Sequence, residues 1–302
     1  MTGLVKMGKR ILITGTAGLL GKALLETIPQ GIEVFRTYFS TVPLPLPEAY
    51  RLMDVRDGAQ IAQAFAWAAP DVVIHAAALG SVDYCEHHRQ EAWEVNVEGT
   101  QNVGLMCQQY RTKMIYISSN AVFDGENPFY AEEAPTNPVN SYGQLKVEAE
   151  RWLRTNEVEH AIVRPILMYG WHNPGERGNW VTTWIREMGQ GKSVKVVDDV
   201  YSKPLFAKSC AEAIWAVILR DRSGTYHVAG ANCLTLYDFA LKTAKVFGLD
   251  ETLIKPVASS FFPRMTTRPR DTSFDTTKME CELGVKPLTV LEGLTRMRDE
   301  RC

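Results

Sequence analysis

At 302 residues, with 45% hydrophobic content, the chain has enough apolar material for one large core or two unequal ones, which excludes large-scale disorder. Its 33 basic and 35 acidic residues leave a formal charge of -2 and form no basic block, so a small molecule is expected as partner rather than nucleic acid or a membrane surface. No apolar run reaches the roughly 18 residues that would cross a bilayer, and MTGLVKMGKR at the start lacks the apolar stretch of a signal peptide. The six scattered cysteines make neither a CxxC pair nor a zinc-finger grouping, so the expectation is a cytoplasmic protein with reduced thiols and no metal site.

The run Arg10–Thr14 (RILIT) predicts a strand, broken at Gly15 and followed by a helical pattern over Leu19–Ile28. Strands are also predicted at Glu33–Tyr38, Val72–His75 and Met114–Ser118, with helices over Gly58–Ala68 and Trp93–Tyr110. VPLPLP, from Val42 to Pro47, reads as a proline-rich loop ahead of a polyproline ligand. A helix over Tyr142–Arg154 precedes a strand at Ala161–Pro165, after which YGWHNPGERGNW has the composition of a long surface loop. Beyond it, strand-like Val194–Val197 and Thr225–Val228 alternate with helical Cys210–Leu219 and Leu236–Phe247. The alternation implies an α/β fold with a Rossmann-type doubly wound parallel sheet. Residues 8–165, with segments near 194–228 returning, are expected to form that domain, and 166–193 with 229–302 a smaller α/β substrate-binding domain.

Gly15, Gly18 and Gly21 follow the first strand as G-x-x-G-x-x-G, a spacing that permits a tight turn, close approach to a pyrophosphate and packing of the next helix. A plain strand-to-helix turn has the same spacing, and the position between the first strand and helix favours the dinucleotide reading. Tyr142 and Lys146 stand four apart on a helix and so share a face, where an ammonium favours the phenolate of a neighbouring tyrosine. A bare YxxxK would more often be surface residues; the context is YISSNAVFDG, which ends a strand in Ser118 and Ser119 at the sheet edge where ligands bind. The Ser119 hydroxyl there can orient a substrate carbonyl, or both serines can simply cap the following turn. Arg36 falls at the expected end of the second strand, where a guanidinium attracts a 2′-phosphate, so NADP(H) is preferred and NAD(H) is the alternative. His87 and His88 are expected in solvent and not on a metal, and Trp180 and Trp184 in a core.

TGTAGLLG, HAAA, NVEGTQN, ISSNAVFDG, NSYGQLK and VRPILMYG, in this order and spacing, resemble the extended short-chain dehydrogenase/reductases. VDYCE, VFDG, NPVNSYG, VKVVDD and RPRDTSFDTTK are most similar to the dTDP-4-dehydrorhamnose reductase branch, and the resemblance runs from about Lys9 to Gly284. It implies a nicotinamide-dependent reductase of a nucleotide-activated 4-keto-deoxysugar, with Ser119 in the catalytic Ser/Thr position, Tyr142 as acid/base, and Lys146 holding the nicotinamide ribose and lowering the tyrosine pKa. It also places Thr16, Ala17, Leu19 and Leu20 in the phosphate turn with the glycines, Asp54 and Val55 beside adenine, and Ala76, Ala77 and Ala78 along the cofactor's path. Asn96 and Pro165 fall on the cofactor side, Asn96 supporting the active-site strand. Ser119, Asn120, Asn179 and Arg268 fall on the substrate side, Arg268 gripping the diphosphate. Homodimers are common in that family. Asn120–Ala121 stands where the branch usually has Asp-Tyr, and Leu167 where tryptophan is usual, which implies a different sugar. An epimerase or dehydratase of the same superfamily, and a regulatory subunit resembling the methionine adenosyltransferase beta subunit, are the alternatives.

Overall fold

The computed structural model describes residues 8–39, 50–173, 175, 177–262 and 266–301; the proline-rich loop at Val42–Pro47 and Cys302 lie outside them. The chain opens with β1 (Lys9–Thr14), α1 (Leu19–Glu26), β2 (Ile32–Tyr38), β3 (Tyr50–Leu52), α2 (Gly58–Ala68) and β4 (Val72–His75). It continues through α3 (Val82–His87), α4 (Arg89–Trp93), a π-helical turn at Glu94–Glu98, α5 (Gly99–Tyr110), β5 (Lys113–Ile117), α6 (Ser141–Thr155) and β6 (His160–Pro165). Then come β7 (Met168–Tyr169), α7 (Trp180–Gly189), β8 (Val194–Val197), β9 (Tyr201–Ser202), β10 (Leu205–Phe206) and α8 (Ala207–Leu219). The last elements are β11 (Gly224–Val228), β12 (Leu234–Thr235), α9 (Leu236–Phe247), β13 (Ile254–Val257) and α10 (Val290–Asp299).

Seven parallel strands form the main sheet in the order β11-β6-β5-β4-β1-β2-β3. The chain order reverses between β1 and β4, so a crevice opens there above the carboxyl ends of the strands. β4 and β5 are buried along their whole length, as strands covered by helices on both faces must be. One covering core joins Leu20, Leu24 and Ile214 to the sheet, the other Ile61, Phe65, Val103 and Leu153.

A separate apolar cluster around Val181, Trp184, Phe239, Ile254 and Leu294 unites α7, α9, α10, β8 and β13. Within the returning stretch near 194–228, β11 joins the main sheet beside β6, whereas β8 pairs with β13 instead. Trp184 is buried in this second cluster, but Trp180 is 41% exposed, so only one of the two tryptophans expected in a core lies there. The helix expected to run unbroken over Trp93–Tyr110 is interrupted by the π-helical turn, which carries Asn96.

Candidate active site

The three glycines after β1 have three different physical reasons. Gly15 has φ +71°, and a Cβ on it would lie 2.7 Å from the Ala77 backbone, so only glycine lets the exits of β1 and β4 meet. On α1, a Cβ at Gly21 would stand 2.5 Å from Thr16 Cα. Gly18 has neither constraint: its φ is −73° and a Cβ would find nothing nearer than Gly15 O at 3.7 Å. It is the N-cap of α1, and no side chain caps that helix, as none caps α4, α5 or α8, whereas Asp57, Ser81, Asn140, Asn179, Thr235 and Thr289 cap α2, α3, α6, α7, α9 and α10. Uncapped N–H groups with open space before them fit the pyrophosphate of a dinucleotide. Thr16 is turned inward, giving its N–H and hydroxyl to Thr37 O, and Leu20 lies in the core; Ala17 and Leu19 keep partial exposure.

Arg36 is not at the end of β2. β2 runs on to Tyr38, where its predicted bounds ended it, and the edge strand β3 pairs with Arg36, Thr37 and Tyr38, so Arg36 lies two residues inside the strand. The Arg36 guanidinium lies over the Tyr50 ring, 5.2 Å from its centroid, and its Nε is buried without a hydrogen-bond partner. Asp54 is held by Arg56, whose hydrogen bonds pull its carboxyl below the usual range, and buried Val55 packs against Gly99. Ala76 and Ala77 border Gly15, Ala78 is exposed beyond them, and buried Pro165 closes β6.

Beyond β5, Ser119 caps a short turn by accepting the Ala121 N–H at 3.1 Å and donates its hydroxyl to Asn120 Oδ1 at 3.3 Å, while lying near enough to Tyr142 to act on its phenol. Gly143 makes this meeting possible. A Cβ there would fall 2.1 Å from Ala121 O, so only glycine lets the start of α6 press against the turn after Ser119. Burial raises the Tyr142 phenol, and although the nearby Ser119 hydroxyl and Arg177 charge oppose that rise, the pKa stands at about 12. Lys146 directs its Nζ to Ile117 O at 2.9 Å and lies 5.8 Å from the Tyr142 ring. Burial takes Lys146 down to about 8, against the opposing pull of Cys85 and Glu150.

A buried network stands behind this triad. Glu150 accepts from Ser118 and, at 2.8 and 2.6 Å, from Arg164, fixing the strand end that carries Ser119. Both members of the ion pair are almost fully buried, and Arg154 reaches the same Glu150 carboxylate at 3.0 Å from the solvent side, so loss of Glu150 leaves the buried Arg164 charge uncompensated.

Several expected ligand residues are already engaged. Asn96 uses both ends of its amide on Leu79, accepting its N–H at 2.8 Å and donating to its carbonyl at 3.1 Å, so it holds the loop after β4. The Asn179 amide caps α7 and donates to Gly170 O at 2.7 Å. The fork of Arg268, expected on a diphosphate, is held by Asp83. Asn120 donates to Thr272 Oγ1 at 2.5 Å, tying the turn after Ser119 to the C-terminal segment. His87 and His88 are exposed, each with Nδ1 near a backbone carbonyl one turn back. The sequence reading missed Asn140, Gly143, Asp83 and Arg177. The N-cap pattern N-S-Y-G offered a signal for the first two. A cavity of about 510 Å³ opens on another face of α6, between Arg89, Trp93 and Arg151, and does not include Tyr142 or Lys146.

The sheet order and this crest define a nicotinamide-dinucleotide-binding protein of the reductase/epimerase kind, and residues 9–301 match the family described as RmlD substrate binding domain, to which the chain belongs. It is 29% identical over 94% of its length to a probable low-salt glycan biosynthesis reductase of Haloferax volcanii, 96% of which is covered. It is 30% identical over 92% of its length to the methionine adenosyltransferase 2 subunit beta of Bos taurus, 83% of which is covered. Among solved structures, dTDP-4-dehydrorhamnose reductase of Bacillus anthracis in complex with NADP superimposes with a TM-score of 0.88 at 27% identity, covering 97% of this chain and 100% of that one. No helix among the described residues is long and apolar enough to cross a membrane.

Proposed function

We propose that this chain is an NADPH-dependent reductase of a nucleotide-linked 4-keto-deoxysugar, residues 8–165 serving mainly the cofactor and 166–193 with 229–302 the sugar. The observation that carries the reading is the packing of the start of α6, with Tyr142 and Lys146, against the turn that begins at Ser119, at the same sheet edge as the uncapped α1 N-terminus. When bound, reduced nicotinamide supplies a hydride. Ser119 orients the keto oxygen by a hydrogen bond, and Tyr142, protonated throughout the neutral range, gives its proton to the oxygen that becomes the alcohol. Lys146 supports the ribose end of the cofactor and keeps positive charge beneath the phenol. Arg36 supplies a cation at the β2–β3 edge for a 2′-phosphate.

The reading is tested with purified protein, NADPH and a panel of dTDP, UDP, GDP and CDP keto-sugars. Stoichiometric loss of NADPH absorbance with one sugar nucleotide is expected. Conversion of a sugar with no net loss of reduced cofactor makes the protein an epimerase or dehydratase instead. The likeness to the bovine subunit favours a second reading, a regulatory one. It predicts no turnover with any sugar and a changed rate of a methionine adenosyltransferase catalytic subunit on mixing.

A further inference from the structure

His75, the last residue of β4, is almost fully buried beneath the crest, and the direction of every hydrogen bond around it is determined. Thr100 Oγ1 donates its only proton to Asn96 O at 2.8 Å, so towards His75 Nε2, 3.2 Å away, it accepts, and Nε2 carries the hydrogen. On the other side Thr14 Oγ1 accepts the Ala77 N–H at 3.1 Å and lies 2.9 Å from His75 Nδ1. Burial, reinforced by the Lys146 charge, takes the imidazole down to about 3, so Nδ1 is bare and Thr14 donates to it.

The result is a one-way chain: Ala77 N–H to Thr14, Thr14 to His75, His75 to Thr100, Thr100 to Asn96 O. Asn96 then closes the circuit by clasping Leu79 with its amide. The segment after β4 is therefore held at Ala77 and at Leu79. It is also held against the turn after β1, since Thr14 immediately precedes Gly15, the residue pressed on Ala77.

Resting on the dinucleotide reading of this crest, we propose that His75 is a positioning residue for the cofactor: the imidazole, acting through Thr14, fixes the spacing between the glycine turn and Ala76–Ala78. It touches no reacting atom. Its consequence is cofactor affinity, a quantity independent of the sugar.

The test is NADPH binding, by protein-fluorescence quenching or calorimetry, with thermal melting alongside. His75→Leu and Thr14→Val should each raise the NADPH Kd roughly tenfold, the order expected when buried polar groups lose a partner. The double variant should be no worse than the weaker single, because both remove the same link. His75→Asn, which returns an acceptor to the Nδ1 position, should bind within about threefold of the wild type. If His75→Leu does not fold, Thr14→Val and His75→Asn decide the matter. Variants that melt lower yet bind NADPH as the wild type does would reduce His75 to core packing and overturn the proposal, as would additive losses in the double variant. A wild-type protein that does not bind NADPH would overturn the cofactor reading itself, a separate outcome.

Discussion

Asp83 on α3 grips Arg268 of the C-terminal segment through two hydrogen bonds, 3.2 and 2.7 Å long, and also accepts the Thr266 N–H at 2.9 Å. Two residues lie at the centre of a larger fastening, because Thr267 O accepts from Asn140, the cap of the helix bearing Tyr142, and Thr272 accepts from Asn120, the neighbour of Ser119. Burial acts to raise the Asp83 carboxyl, but the Arg268 and Thr266 hydrogen bonds outweigh it and bring the pKa from 3.8 to about 2. A depressed carboxyl contributes stability that is present above its unfolded pKa and lost as pH falls through the folded one. Arg268→Ala should therefore melt lower than the wild type at pH 7, by no more than about 1 kcal/mol since the pair is partly solvated, and the gap should close between about pH 4 and 2. NADPH affinity should not move. Melting curves at several pH values check this, and a gap that widens in acid contradicts it.

Lys146 has the opposite sense. Its pKa falls from 10.5 to about 8 chiefly through burial. Each pKa unit is worth about 1.4 kcal/mol, so at neutral pH the buried ammonium costs on the order of 3 kcal/mol. That cost is present below pH 8 and relieved as pH rises towards 10.5, because the unfolded chain then binds the extra proton. Lys146→Met should raise the melting temperature at pH 7, less the lost hydrogen bond to Ile117 O, while cutting reductase turnover by about two orders of magnitude or more. Wild-type turnover should itself fall above about pH 8. A variant that melts lower at pH 7 shows that the ammonium is stabilising and rejects the assignment.

Tyr142→Phe keeps the ring against its neighbours and removes only the hydroxyl. With a pKa of about 12, the tyrosine is a proton donor at every neutral pH and sets no acid limb of its own. Turnover should drop about 10²–10⁴-fold, and NADPH affinity should stay within about twofold since the ring remains. Steady-state rates with an active sugar, beside NADPH titration, test both halves; near-normal turnover removes tyrosine from the mechanism.

The features written as local patterns were the legible ones. The glycine turn, the parallel strands and the Ser119, Tyr142 and Lys146 constellation follow from residue type and spacing over short stretches. What escaped depended on partners far along the chain. Arg36 was placed at the end of a strand that itself ran on to Tyr38, and its neighbour Tyr50 lies on β3, a three-residue edge strand with no periodicity of its own. Arg268 looked available for a phosphate because Asp83, 185 residues away, left no local sign of its grip. Asn96 and Asn179 are polar residues near a site, and only the hydrogen-bond geometry shows that their amides are spent on backbone. The elevated Tyr142 pKa is likewise a matter of burial, which a YxxxK spacing does not contain.

Gly18 and Gly21 separate the fold's need for glycine from the ligand's. At Gly21 a methyl group would stand 2.5 Å from Thr16 Cα and 2.6 Å from Gly15 O, both backbone atoms, so the helix or the turn must move. Gly21→Ala should destabilise the protein by about 1–3 kcal/mol, and any loss of NADPH binding would accompany a lower melting temperature. At Gly18 the φ of −73° suits any residue and nothing within 3.4 Å opposes a Cβ. There the small loss of alanine at an N-cap is offset by a less flexible unfolded chain, so Gly18→Ala should melt within about 1 kcal/mol of the wild type. The same methyl would occupy the space before the uncapped N–H groups of α1, where a pyrophosphate must come close. NADPH should then bind at least about tenfold more weakly to a protein of undiminished stability, an interaction worth about 1.4 kcal/mol or more. Melting and titration of the two variants side by side give the answer. If Gly18→Ala binds NADPH as tightly as the wild type, the pyrophosphate does not lie on this turn, and the glycine spacing serves only the fold.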